Sequence, residues 1–177
     1  MVHTLILAAI LTVGISTADI PTGKYQDRTF GTPVVDAIAT QTAKGLSCTE
    51  TSKVSDPVKV HTCSGGAFLD RQATMTFLSI DSKLEGGSTF IRLAPTEITL
   101  LVGFPKHVLT KIIAKYGDPL VTSDNPTDAT WELQSDKTAI TMNVSPGTLT
   151  ITYLSKTARD HFKEMMDDLD EEKKLDK

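Results

Sequence analysis

The chain has 177 residues, of which 40% are hydrophobic and 23% charged, enough to bury the core of one compact domain. Its net charge of −4 comes from residues 160–177, where eight acidic side chains outnumber four lysines, and the rest of the chain is neutral. A neutral body with an acidic tail has no basic surface for a phosphate backbone, so we expect no nucleic-acid partner.

A largely apolar run over residues 5–15 is followed by the small residues Ser16, Thr17 and Ala18. The run is well short of the roughly 20 residues that span a bilayer, and small residues are typical of a cleavage site. The pattern predicts a signal peptide at 1–18 and a periplasmic or secreted, soluble product with no membrane insertion after cleavage. An uncleaved anchor remains the alternative, since His3 is present before the run but no Lys or Arg.

Residues 19–31 are polar and predict an N-terminal lead-in to a first structural unit at 32–103. Thr32 and Pro33 are typical of a helix start and Gly45 of a helix end, with Val34, Val35, Ile38 and Thr42 predicted on one face. Alternation of apolar and polar residues then predicts strands, with a bulge at Gly86 and Gly87 as an alternative within the last of them. These strands cover residues 47–52, 58–63, 73–80 and 84–93.

The chain contains two cysteines, Cys48 and Cys63, and an even number in an exported protein favours a disulfide. The midpoint between them falls in the turn-forming run 55–57, so a hairpin turning there would place the two sulfurs opposite each other. A redox pair or two ligands of a metal site are less favoured, because there is no Cys-x-x-Cys and His61 alone cannot complete a zinc shell.

A second unit at 104–155 repeats the plan of the first. Pro105 and Gly117 are 12 positions apart, as are Pro33 and Gly45, and they bound a second predicted helix. Its apolar residues lie on one broad face, and strands are predicted for 129–133, 138–143 and 148–154. The apolar residues are Val108, Leu109, Ile112, Ile113 and Tyr116. The predicted fold is α+β, with two tandem helix-plus-antiparallel-meander units forming one sheet and helices on one face.

The last segment, 156–177, predicts a charged C-terminal helix. Its apolar stripe either docks on the protein's own sheet, which we favour, or contacts a partner, since methionines adapt to either surface. The stripe consists of Phe162, Met165, Met166 and Leu169.

Several of these features resemble small bacterial periplasmic proteins built from tandem helix-plus-meander units, distantly similar to the beta-lactamase inhibitor protein and BamE families. The shared features are helices ending at Gly45 and at 115–119 (KYGDP), the cysteine pair, the turn at 81–84 and the strand containing Trp131. The resemblance implies binding or scaffolding rather than catalysis. Unlike BamE-type lipoproteins, this chain has no lipobox cysteine at 17–19, and it has fewer aromatic residues than a tight inhibitor requires.

No pattern of catalytic or metal-binding residues emerges. Ser64 lacks a Gly-x-Ser-x-Gly setting, and the histidines do not have the spacing of metal ligands. Trp131 stands on a polar-rich strand and is kept as a candidate partner-binding residue, although core packing is favoured. We therefore predict a non-enzymatic envelope module without a cofactor, whose partner is another envelope protein and whose contact surface is the open sheet face. The alternative is a periplasmic immunity protein or inhibitor of an envelope-targeting enzyme.

Overall fold

The computed structural model describes residues 23–55, 58–94, 103–122 and 128–175. The predicted signal peptide at 1–18 and the start of the lead-in lie outside the described residues. In chain order the elements are β1 Lys24–Tyr25, β2 Arg28–Thr29, α1 Val34–Ala43, β3 Ser47–Ser55, β4 Val58–Phe68, β5 Arg71–Ile80, β6 Lys83–Arg92, α2 Phe104–Tyr116, β7 Val121–Thr122, β8 Ala129–Glu132, β9 Ala139–Ser145, β10 Thr148–Leu154 and α3 Lys156–Leu175.

Two helix-plus-meander units share one antiparallel sheet, as predicted. Strands β3 to β6 form one meander and β7 to β10 the other, and the order across the sheet is β3-β4-β5-β6-β10-β9-β8-β7. The last strand of each unit pairs with the last strand of the other, with Ile91 opposite Leu149. Strands β1 and β2 form a separate two-stranded hairpin. The α+β prediction is confirmed.

Helices α1 and α2 cover the inner face of the sheet, where alternate side chains are apolar. Under α1 the core includes Val34, Ala37 and Phe77, which are at most 3% exposed. Under α2 it includes Val108 and Ile112, packed against strands β6 and β8 to β10. The two clusters meet at Tyr153, which packs against both. Each unit therefore contributes one helix and one half of a continuous buried layer.

The predicted inner face of α1 requires a correction. Val35 is 61% exposed, and Thr42 is also exposed, whereas Ala37 and Gln41 are buried. The helix begins only at Val34, and the backbone of this residue is fixed by a hydrogen bond from its N–H to the carbonyl of Ser82. This hydrogen bond orients Val34 toward the sheet, together with the residues one helical turn further along. Val35 therefore faces solvent.

The double glycine in β6 lies beside a bulge. The register of β5 and β6 passes from Leu78 opposite Gly86 to Ser79 opposite Leu84, so Glu85 is the extra residue. Gly87 is required for packing, because a Cβ there would lie 2.2 Å from the ring of Tyr25. The β1–β2 hairpin thus packs on the sheet through Tyr25, whose ring lies directly against Gly87.

Helix α3 lies on the opposite, outer face of the sheet. Its first turns bury Ala158 and partly bury Phe162 against Val58 and Ile80, whose side chains point away from α1. Ser155 caps the helix, since its Oγ accepts a hydrogen bond from the Ala158 N–H at 3.0 Å. The same hydroxyl donates to the buried carboxylate of Glu85, which ties the helix start to the bulge.

Candidate functional site

The central strands β5, β6 and β10 present a row of polar side chains on the outer face. Cross-strand pairing aligns Thr74, Phe90 and Thr150 in one row and Thr76, Ser88 and Thr152 in the next. We call this surface the threonine face, and it consists of Gln72, Thr74, Thr76, Ser88, Phe90, Arg92, Thr148, Thr150 and Thr152. The opposite side of the same strands carries the buried core, because successive strand residues alternate between faces.

A shallow hollow of about 350 Å³ lies at one end of the threonine face. Phe90, Arg92 and Thr148 line it, and Phe90 is 39% exposed, which is unusual for a large aromatic side chain surrounded by polar groups. Arg92 offers a planar guanidinium that can donate two parallel hydrogen bonds to a carboxylate. The hollow therefore combines an apolar anchor, a cation and hydroxyl groups, which suits non-covalent recognition.

In the second row, the Ser88 and Thr152 hydroxyls are hydrogen-bonded to each other, and the Thr76 hydroxyl is hydrogen-bonded to the Ser88 backbone. The Oγ atoms of Ser88 and Thr152 are 2.8 Å apart, and Thr76 Oγ1 accepts the Ser88 N–H at 3.1 Å. No His or carboxylate is among the nine residues of the threonine face. Its chemistry is that of a pre-ordered hydrogen-bonding surface.

Helix α3 covers the other end of the outer face and is anchored there by an ion pair. Arg159 Nη1 donates to Glu132 Oε2 at 2.8 Å, and Lys137 lies 3.7 Å from the same carboxylate. The hydrogen bond from Arg159 holds the pKa of Glu132 below its usual range. The helix thus sets one boundary of the open surface.

Trp131, a candidate partner-binding residue, is only 2% exposed and belongs to the core beneath α2. Its indole Nε1 donates to the carbonyl of Gly117 at 2.9 Å, which fixes the end of α2. Strand β8 turns Trp131 to the inner face and Thr130 to the outer face. Core packing, the role favoured from the sequence, describes the position of Trp131.

The four residues of the predicted apolar stripe differ in their burial along α3. Phe162 packs on the sheet, Met165 is half-buried, and Met166 is 58% exposed. The side chain of Leu169 lies outside the described part of the structure. Of the two predicted roles, docking on the protein's own sheet describes the first turns of the helix.

The two cysteines are joined, as predicted. Cys48 lies opposite Cys63 in the β3–β4 pairing, and the structure places a disulfide between them. Cys63 is fully buried beside Met75, so the bond closes the edge of the core under α1. Disulfides persist in oxidising compartments, and this one is typical of a protein that works outside the cytoplasm.

Other kinds of site find no support in the described part of the chain. Within those residues no three His, Cys, Asp or Glu side chains are grouped as metal ligands. Among the described helices, none is both long and apolar enough to cross a membrane.

A second, smaller cleft lies on the inner face between α2 and the β1–β2 hairpin.

Comparison with known proteins returned no match to a family model, a curated protein or a solved structure.

An open sheet face was predicted from the sequence, but the residues that form it were not. Their signal was the alternation Thr148, Thr150, Thr152 along β10 and Thr74, Thr76 along β5, which places hydroxyls on one side of adjacent strands.

Proposed function

We propose that this protein is an exported binding module of the cell envelope that contacts another envelope protein through its threonine face. The observation that carries the proposal is the unequal covering of the sheet. Among the described residues, helices α1 and α2 bury the inner face and α3 covers one end of the outer face, whereas Phe90 on the central strands is 39% exposed.

The chemistry of the hollow defines the partner. Phe90 supplies an exposed ring that a partner can bury, and Arg92 supplies a cation that pairs with a carboxylate. A protein loop carrying an acidic side chain next to an apolar one fits this arrangement. Export is supported by the Cys48–Cys63 disulfide and by the predicted signal peptide.

The test compares variants on opposite faces of the molecule in a pull-down from envelope extract. Thr150→Arg places a long charged side chain in the centre of the threonine face, whereas Val35→Arg alters a 61% exposed position on α1. We expect the wild type and Val35→Arg to capture the same partner and Thr150→Arg to lose it, with all three melting alike. Equal capture by Thr150→Arg would refute the proposal.

Two variants of Arg92 test the proposed charge contact in the same pull-down. Arg92→Glu reverses the charge that we assign to the contact, so it should abolish capture, while Arg92→Lys should retain part of it. If the captured protein is an enzyme that loses activity on binding, the immunity or inhibitor function is the correct form of the proposal.

A further inference from the structure

We propose that the inner-face cleft is a binding site for a small aromatic carboxylate. This cleft has a volume of about 150 Å³ and lies where the β1–β2 hairpin, α2 and the two halves of the sheet meet. It is separate from the threonine face, which lies on the other side of the same strands.

Aromatic rings form much of the wall of the cleft. Tyr25, Tyr116 and Tyr153 all line it, and Tyr153 lies 5.7 Å from Tyr25 and 6.4 Å from Tyr116 between ring centroids. Ile151 and Thr89, both 2% exposed, lie at its buried end. A cavity of about 150 Å³ admits one benzene-sized ring, and edge-to-face contacts with tyrosines favour an aromatic ring over an aliphatic one.

The exposed end of the cleft is cationic. Lys24 and Lys115 line it together with a single acidic residue, Asp27, which leaves a net charge of +1. The ammonium of Lys115 lies 4.9 Å from the ring centroid of Tyr116, so it stands over the aromatic wall. Neither lysine forms a salt bridge within the described residues. In a chain with a net charge of −4, two cations at one opening favour an anionic group there.

The tyrosine hydroxyls do not provide a charge that could bind the anionic group of the ligand. The Tyr25 hydroxyl donates to the carbonyl of Ser88, and burial raises the pKa of both Tyr25 and Tyr153. These phenols are neutral at physiological pH and contribute their rings. A ligand with its ring toward Ile151 and its carboxylate toward the lysines satisfies both ends of the cleft.

The experiment titrates the full chain with sodium benzoate and, separately, with neutral benzamide, and follows binding by calorimetry and by NMR of the tyrosine ring protons. We expect benzoate to bind and benzamide to bind more weakly. Lys115→Gln and Lys24→Gln should each weaken benzoate binding by about 1.5- to 5-fold, the range expected for losing one exposed charge contact. Lys111→Gln is the matched control, since this exposed lysine of α2 does not line the cleft.

Absence of benzoate binding would overturn the inference, as would equal binding of benzamide or an equal loss in Lys111→Gln. The outcome is independent of the proposed function, because Thr150→Arg should bind benzoate like the wild type.

Discussion

The disulfide joins residues 15 positions apart at the edge of the sheet, next to the core beneath α1. The pairing of its two cysteines was predicted from their even number and from the turn-forming residues between them, which are local features of the sequence. The burial of Cys63 was not predictable in this way, because it depends on Met75 and Leu46 arriving from other elements.

We expect the double variant Cys48→Ala, Cys63→Ala to lower the free energy of unfolding by about 3 kcal/mol, because it frees a closed loop in the unfolded chain. Urea unfolding of the two proteins measures the difference. Reductant should destabilise the wild type and leave the variant unchanged. If reductant has no effect on the wild type, the cysteines are not joined in the folded protein.

The environments of Trp131 and of the threonines of the threonine face were not predictable from the sequence. The orientation of Trp131 depends on the register Trp131 opposite Ile140, which a single strand sequence does not reveal. The threonine face likewise needs β6 and β10 to pair, although they lie in different units. A polar side chain is identified as part of a surface only when its neighbours across the sheet are known.

Helices α1 and α2 were predicted with different success. Helix α2 spans Phe104–Tyr116, close to the predicted limits, and its apolar face was identified because bulky residues recur at helical spacing. Helix α1 buries Ala37 and Gln41, which are small or polar, so its sequence gave a weaker and partly incorrect indication of the inner face.

Ile112 tests the packing of α2 on the sheet. It is 6% exposed within the larger core cluster, and Ile112→Ala should destabilise the protein by about 2 to 5 kcal/mol through lost burial and a residual cavity. Lys111→Ala, at the neighbouring exposed position, should change stability by less than about 0.5 kcal/mol. Thermal melts that show the same loss for both variants would mean that the helix packs through another face.

The ion pair between Glu132 and Arg159 makes a pH-dependent contribution to stability. Because the folded-state pKa of Glu132 is lowered, the unfolded chain binds the proton more readily, so this stabilisation is complete above the unfolded value of about 4.3. It is lost as the pH falls through the folded-state pKa.

Glu132→Gln should therefore melt below the wild type at pH 7, and the gap should close as the pH is lowered below about 4.3. Melting curves recorded from neutral to acidic pH provide the measurement. A gap that stays constant over this range would show that the carboxylate gains nothing from Arg159.

For the whole molecule, a helix-plus-meander plan repeated at equal spacing led to the correct fold class. The pairing of β6 with β10 was not predictable from the sequence, since it joins residues more than 50 positions apart through side chains with no distinctive pattern. The placement of α3 on the outer face could not be predicted from the sequence either, because it depends on Val58 and Ile80 being left uncovered by α1.

Truncations locate the end of the folded unit. A chain ending at Leu169 should unfold like the full chain, because the acidic residues beyond it lack an apolar face. A chain ending at Lys156 loses Ala158 and Phe162, exposes Val58 and Ile80, and should be less stable by at least about 2 kcal/mol. Equal melting temperatures for the two truncations would show that α3 does not stabilise the sheet.

Photo-crosslinking in cells of the native host tests whether the threonine face is the surface that contacts a partner. A photoreactive amino acid is placed at Thr150 in one protein and at Val35, on the opposite side of the molecule, in another. We predict one discrete crosslinked product from position 150 and none from position 35. A product from position 35 alone, or none from either position, would contradict the claim.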